Sequence, residues 1–389
     1  MGCLYVGLQT DAIHSHGYYD EATGTFIPPI YQVAMFEQIV EPRLSDRGVD
    51  LKYSREENPT VRCLERVIAR LEEGDDALCF SSGMAAISCV YIGLLRKGDR
   101  VVIPMEAYGT TIQLALELKE KFGIEVVTVY PETEEVINAV NRNTKLVLVE
   151  TITNPMLRVI DVPEVAKVCK EYGVTLVVDN TFATPVLYKP LRDGATLVIH
   201  SMTKYIAGHN DVIAGSVIGS RELILHLWDW RRKLGTIIPP FEAYLVLRGV
   251  KTLELRVRKH CENAQAVAEF LKEHSRVEEV LYPGLPDNRY HEVAKKLLRG
   301  GFGGVVSFKI KGGKEEVRKF FKNLKVIKPA PSLGGPESLI TYPVLSAART
   351  IPVEFREKLG ITENLVRLSV GLEDVNDIIE DLDRALKAI

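Results

Sequence analysis

In LVIHSMTKYIAGHND, residues 197–211, Lys204 follows an apolar run so closely that surface solubility is a poor account of it. Ser201 and Thr203 stand just before it. Other apolar runs deliver chemically able groups at their carboxyl ends: Tyr108 after VVIP, Asn154 after LVLVE and Asp179 after TLVV. The turn SSGMAA, residues 81–86, adds an anion site if a helix starts at Gly83 or Met84. The first N–H groups of a helix have no intrahelical acceptor and lie at the positive end of its dipole.

An amine, a carboxylate, an aromatic ring and a cradle of hydroxyl and N–H donors are what pyridoxal 5′-phosphate (PLP) needs. Lys204 would form the Schiff base and Asp179 would keep the pyridine nitrogen protonated. Tyr108 would stack on the ring, and Ser82, Gly83, Ser201 and Thr203 would hold the phosphate. Singly, each residue has a plainer role: Asp179 as a helix cap, Tyr108 in the core, the serines in turns, Lys204 snorkelling from a strand end. Together along one sheet edge, one site explains them better. His200 and His209 read as strand-end or loop polar residues, because no metal-ligand spacing surrounds them, and no metal is expected.

These groups need a sheet behind them. RVVIP (100–104), EVVTVY (125–130), KLVLVE (145–150), VTLVVDN (174–180) and ATLVIHS (195–201) are apolar on both faces, as strands of a covered parallel sheet are. Amphipathic stretches such as TTIQLALELKEKFG and VPEVAKVCKEYG lie between them, each ending in the glycine that stops a helix. The alternation predicts an α/β fold, doubly wound, over residues 51–245. Ligands of such sheets bind beyond the carboxyl ends of the strands. Residues 1–50, with Pro28-Pro29 and no sustained period, read as an N-terminal arm contacting a neighbouring subunit. A long helical stretch near 240–275, then GGVVSFKI (303–310), a helix at 314–323 and LVRLSVG (365–371), read as a smaller C-terminal α+β domain, 246–389.

Composition narrows the partners. The 389 residues carry 52 acidic and 49 basic side chains, net charge -3, with no basic block, so nucleic acid is not expected. The six cysteines show no CxxC spacing, which fits a reduced, cytoplasmic compartment. The start has no basic n-region followed by an apolar core, and Val6 stands where a myristoylation signal wants a hydroxyl residue. ALCFSSGMAAISCVYIGLL, residues 77–95, is long and uncharged, but Ser81-Ser82-Gly83 divides it into a buried strand, a turn and a buried helix, so no membrane span is expected.

Eight segments carry a resemblance: YSREENPT (53–60), FSSGMAAI (80–87), ETITNP (150–155), VVDNTFATP (177–185), HSMTKYIAGHNDV (200–212), YLVLRGVKTL (244–253), SLGGPESL (332–339) and VRLSVGLED (366–374). In order, they resemble the motifs of the Cys/Met-metabolism (transsulfuration) family of PLP-dependent enzymes. That family includes cystathionine γ-synthase, cystathionine γ-lyase, cystathionine β-lyase, methionine γ-lyase and O-acetylhomoserine sulfhydrylase. The resemblance implies a fold type I, aspartate-aminotransferase-like PLP enzyme: a large mostly parallel sheet domain plus a smaller C-terminal α+β domain. It implies Lys204 as the Schiff-base lysine, Asp179 as the pyridinium partner, Tyr108 as the stacking ring, and Ser82, Gly83, Met84, Ser201 and Thr203 on the phosphate. Tyr53 and Arg55 would reach the phosphate of the neighbouring subunit's cofactor, in a homotetramer built as a pair of dimers. Arg367 would grip the substrate α-carboxylate, for which a planar two-pronged donor suits, with Asn154 and the backbone around Ser332 assisting.

The reaction expected is γ-elimination of a sulfur amino acid, L-methionine and/or L-cystathionine, with Lys204 shuttling protons and Tyr108 assisting near the leaving group. Pro331 stands where family members that handle cystathionine or a similar γ-substrate often carry glutamate, and Ala348 where histidine is common. Thr110 lies near where methionine γ-lyases often carry cysteine. The alternatives are γ-replacement on an O-acylhomoserine and, in another class, a non-catalytic PLP-binding scaffold, against which the retention of lysine, aspartate and arginine together argues.

Overall fold

The computed structural model describes residues 7–38, 40–346, 348–349, 351 and 353–389. The Val-, Ile- and Leu-rich runs become strands, because β-branched side chains suit extended backbone packed on both faces. Among the described residues, seven form one sheet: β1 (Asp76–Phe80), β2 (Arg100–Pro104), β3 (Glu125–Val129), β4 (Thr144–Glu150), β5 (Thr175–Asp179), β6 (Leu197–Ser201) and β7 (Gly215–Gly219), in the order β1-β7-β6-β5-β4-β2-β3. β2 to β6 are parallel, and β7 is antiparallel to both its neighbours. Alternate residues feed two cores. Val147, Val149, Leu176 and Val178 pack on one face, Leu146, Leu148, Val177 and Ile199 on the other. β3 departs from this, since it is the edge strand and leaves Glu125 and Thr128 exposed.

The helices start and stop for local reasons. Ser82 caps Gly83–Leu94 by accepting from the Ala85 N–H at 3.0 Å. Gly109–Phe122 and Val162–Tyr172 end at Gly123 and Gly173, both at φ 67°. Residues 77–95 divide into β1, a turn and the helix Gly83–Leu94. No helix among the described residues is long and apolar enough to cross a membrane. The helical stretch near 240–275 is two helices, Pro240–Val250 and Leu253–Glu273, broken at Lys251-Thr252.

A second sheet holds β8 (Val277–Leu281), β9 (Val305–Ile310), β10 (Lys328–Pro329), β11 (Leu339–Thr341) and β12 (Leu365–Ser369) in the order β10-β11-β12-β9-β8. It is antiparallel apart from the β10–β11 pair. Val267, Phe320 and Leu382 bring three helices onto Phe308 and Leu368 in one core. Within the N-terminal region Leu8–His14 is helical and buries Ala12. The chain beyond it exposes Phe26, Ile27 and Met35. Arg47 anchors that loop, donating to Asp76, Glu57, Glu65 and the Ala77 carbonyl from a fully buried position.

Register brings the functional groups to one edge. Glu150 at the end of β4 lies beside Asp179 at the end of β5, and Phe80 and Ser201 both pair with Gly215. The carboxyl ends of β1 and β6 therefore flank the start of β7. Gly215 has to be glycine there, since a Cβ would lie 2.2 Å from the Ser82 carbonyl oxygen.

Candidate active site

Beyond this edge lies a cleft of about 530 Å³, walled on its far side by residues of the second sheet and of the loop between β10 and β11. Ser82, Gly83, Met84, Ser201 and Thr203 lie at one end. Gly83 and Met84 open their helix, so their N–H groups have no partner within it. The helix start can approach β6 only because Gly83 lacks a side chain, as a Cβ would come within 3.0 Å of the Ser201 Cβ. Thr203 Oγ1 accepts from the Ala214 N–H at 3.0 Å, which fixes the turn before Lys204. Neutral donors at a positive helix end suit a phosphate-sized anion.

Asp179 lies on the cleft wall. Its Oδ1 accepts from the Thr181 N–H at 3.0 Å and from Thr181 Oγ1 at 2.5 Å. Loss of bulk water nevertheless raises its pKa, and the Thr181 bonds only partly oppose this. Such a carboxylate is short of a cation. Burial likewise depresses the Lys204 ammonium to about 8, with Arg367 adding to the effect. Lys204 Nζ donates to Ser332 Oγ at 2.8 Å. Ser332 sits at φ 91°, a left-handed conformation that costs a non-glycine residue about 1–3 kcal/mol. Tyr108 caps the helix Gly109–Phe122, is 47% exposed and leaves its ring available from the cleft.

Arg367 on β12 is 5% exposed. One terminal nitrogen donates to Asn154 Oδ1 at 2.8 Å, the other to the Ser332 carbonyl at 2.9 Å. Its Nε is buried with no partner, and among the described residues its terminal nitrogens meet only neutral acceptors. Burial lowers its pKa to about 10. A buried guanidinium held by neutral acceptors is a site prepared for an incoming anion.

The structure thus brings together Ser82, Gly83, Met84, Tyr108, Asn154, Asp179, Ser201, Thr203, Lys204, Ser332 and Arg367. Tyr53 and Arg55 do not join them within one chain. Arg55 lies over the Tyr53 ring at 5.4 Å and donates to the Arg232 carbonyl at 2.6 Å, on an exposed surface. Thr110 and Pro331 line the cleft; Ala348 is fully buried and does not. Sequence reasoning missed Glu150, whose Oε1 accepts from the Tyr108 N–H at 2.7 Å and whose pKa burial and Asp179 push well up. An acid closing an apolar strand was its signal. It also missed Thr181, Thr341 opposite Arg367, and Ser346 at the rim. His200, read as a strand-end polar residue, is fully buried and bonds Glu72 at 2.6 Å.

The donor set fits PLP on these grounds: an anion cradle that a Cβ would fill, a lysine with a depressed pKa, a carboxylate short of a cation, and an open aromatic ring. Comparison with known proteins agrees. The chain is 44% identical to the L-methionine gamma-lyase of Fusobacterium nucleatum subsp. polymorphum, over 98% of each chain. It is 42% identical to the cystathionine gamma-lyase of Bacillus subtilis (strain 168), over 98% of this chain and 99% of that one. The crystal structure of cystathionine gamma synthase from Xanthomonas oryzae pv. oryzae in complex with aminoacrylate and cysteine superposes with a TM-score of 0.94 at 38% identity, covering 99% of both. The profile of Cys/Met metabolism PLP-dependent enzymes matches residues 9–387, and the chain belongs to that family.

Proposed function

We propose that this enzyme eliminates the γ-substituent of a sulfur amino acid, L-methionine and/or L-cystathionine, consuming water and releasing a thiol, ammonia and 2-oxobutyrate. The observation that carries this reading is the composition of the cleft. Its charged residues are Glu150, Asp179, Lys204 and Arg367, each already given a partner or a role. Much of the remaining wall, Ile87, Ile152, Phe182, Ile213, Pro331 and Leu333, is apolar and suits a thioether.

Ser82, Gly83, Met84, Ser201 and Thr203 would hold the cofactor phosphate, with Asp179 available to the ring nitrogen and Tyr108 to the ring face. Bound PLP supplies an electron sink that makes the substrate Cα–H acidic. Arg367 and Asn154, with the Ser332 backbone, fix the α-carboxylate and so orient that C–H bond. Burial lowers the Lys204 pKa to about 8, so its Nζ can act as a base: it takes the proton from Cα, gives it up, and once neutral again takes one from Cβ. Tyr108 assists as the Cγ–S bond breaks and the thiol leaves. Tyr53 and Arg55, which do not reach their own cleft, serve the neighbouring subunit's cofactor in a homo-oligomer, a tetramer of two dimers. Residues 51–245 are the cofactor-binding domain, 246–389 the C-terminal domain, and the compartment is the cytoplasm.

A second reading, γ-replacement on an O-acylhomoserine, is favoured by the hydroxyls of Thr110 and Ser346 lining the cleft and by the relative named a cystathionine gamma synthase. Comparing kcat/KM for L-methionine, L-cystathionine, and O-acetylhomoserine with cysteine separates the two. Dominant 2-oxobutyrate release supports elimination; dominant thioether formation supports replacement.

A further inference from the structure

Two glutamates stitch together the loops beyond β2 and β4, and the stitching is reciprocal. Glu150, at the end of β4, accepts from the Tyr108 N–H in the β2 loop. Glu106, in the β2 loop, accepts from the β4 loop at three points: Thr153 Oγ1 at 3.0 Å, the Met156 N–H at 2.7 Å and Arg158 Nε at 2.7 Å. Glu106 is fully buried and Arg158 is 6% exposed. Arg158 has its other two donors engaged as well, on the Leu359 carbonyl at 2.7 Å and Tyr290 Oη at 3.0 Å. Burying an ion pair costs desolvation that good geometry has to offset, so a pair satisfied at this many points needs a reason to be there.

Position supplies the reason. Asn154, the acceptor for Arg367, is held between Thr153 and Met156, and both of those are tied to Glu106. The Leu359 carbonyl ends the helix Val353–Leu359, so Arg158 also ties this loop to the C-terminal part of the chain.

We propose that Glu106 and Arg158 are a positioning pair for substrate binding, holding the 153–158 loop so that Asn154 stays locked on Arg367. This rests on the reading of Arg367 as the carboxylate grip. Neither residue touches the phosphate cradle, Asp179 or Lys204, so the pair acts on the amino acid and leaves cofactor affinity alone.

The test uses the holoenzyme of Glu106→Gln, Arg158→Met, Arg158→Lys and Thr153→Val, with Arg367→Leu as control. Two quantities are read: the L-methionine concentration that half-saturates the change in cofactor absorbance, and the PLP dissociation constant from titrating the apoenzyme. Glu106→Gln and Arg158→Met should each raise the first by about tenfold or more, the loss of a charge-assisted contact. The second should stay within about twofold, well under the tenfold that 1.4 kcal/mol represents. Arg158→Lys should recover part of the loss. Thr153→Val removes one hydroxyl and leaves the ion pair, and should raise the first by about threefold. If the larger changes prevent folding, Thr153→Val decides. Unchanged half-saturation with only a lower melting temperature, or cofactor affinity falling in parallel, overturns the proposal. Should Arg367→Leu itself leave half-saturation unchanged, the carboxylate reading has failed; if it alone raises half-saturation, only the positioning role has.

Discussion

Replacing Arg367 by leucine is the perturbation whose size the structure sets most directly. In the wild-type protein both terminal nitrogens are oriented by neutral acceptors, and no carboxylate among the described residues neutralises the charge. A substrate carboxylate would gain hydrogen bonds to a charged donor worth roughly 1.5–3 kcal/mol each. Two of them give about 3–5 kcal/mol once non-additivity is allowed for, so kcat/KM for L-methionine should fall roughly 150- to 5,000-fold. The fold should tolerate the change. Leucine strands the Asn154 and Ser332 oxygens, at about 1–3 kcal/mol each, but it also removes a charge whose pKa falls to about 10, a burial penalty of roughly 3 kcal/mol. The melting temperature should therefore move little, and the visible absorbance of bound cofactor should persist. Steady-state kinetics, a thermal melt and an absorption spectrum of one preparation suffice. A loss below about tenfold, or collapse of the melt together with activity, would refute the reasoning.

Other outcomes follow from the same geometry. With a folded pKa of about 8, below that of a free lysine, Lys204 binds fewer protons folded than unfolded, so apoenzyme stability should rise with pH from about 8 toward 10.5, and Lys204→Met should flatten that rise in urea titrations. Asp179→Asn should stabilise the apoenzyme at neutral pH, because burial raises the pKa of this carboxyl and its ionised form is costly in the folded state; kcat should fall on the order of 10²- to 10³-fold, and a melt without cofactor plus initial rates checks both. If Arg55 serves a neighbouring cleft, mixing inactive Arg55→Ala and Lys204→Ala proteins should restore activity as subunits exchange, while persistent inactivity would place Arg55 in its own chain's site.

The strand ends were the most readable part of the sequence, because a covered parallel strand leaves an uninterrupted apolar run and the first polar residue after it marks the ligand edge. That reading brought Tyr108, Asn154, Asp179 and Lys204 to one cleft. β7 was not readable: its five residues begin and end with glycine, and it is a strand only because Gly215 and Gly219 let Ser82 and Leu197 approach closely. The edge position of β3 was hidden for a similar reason, since exposure depends on which strand lies outside. Glu106 and Glu150 escaped notice because buried acids look like surface acids until their donors are known, and those donors come from residues 42 to 52 positions away. The break at Lys251-Thr252 carries neither proline nor glycine, so periodicity ran through it.

The most direct test of the central claim is a single-vessel assay of purified, PLP-loaded enzyme with L-methionine, measuring 2-oxobutyrate, ammonia and methanethiol together, alongside Lys204→Ala. Equimolar release of all three by the wild type, with none from the variant, is the result predicted. Absence of 2-oxobutyrate from both L-methionine and L-cystathionine, in protein whose cofactor absorbance is intact, would contradict γ-elimination.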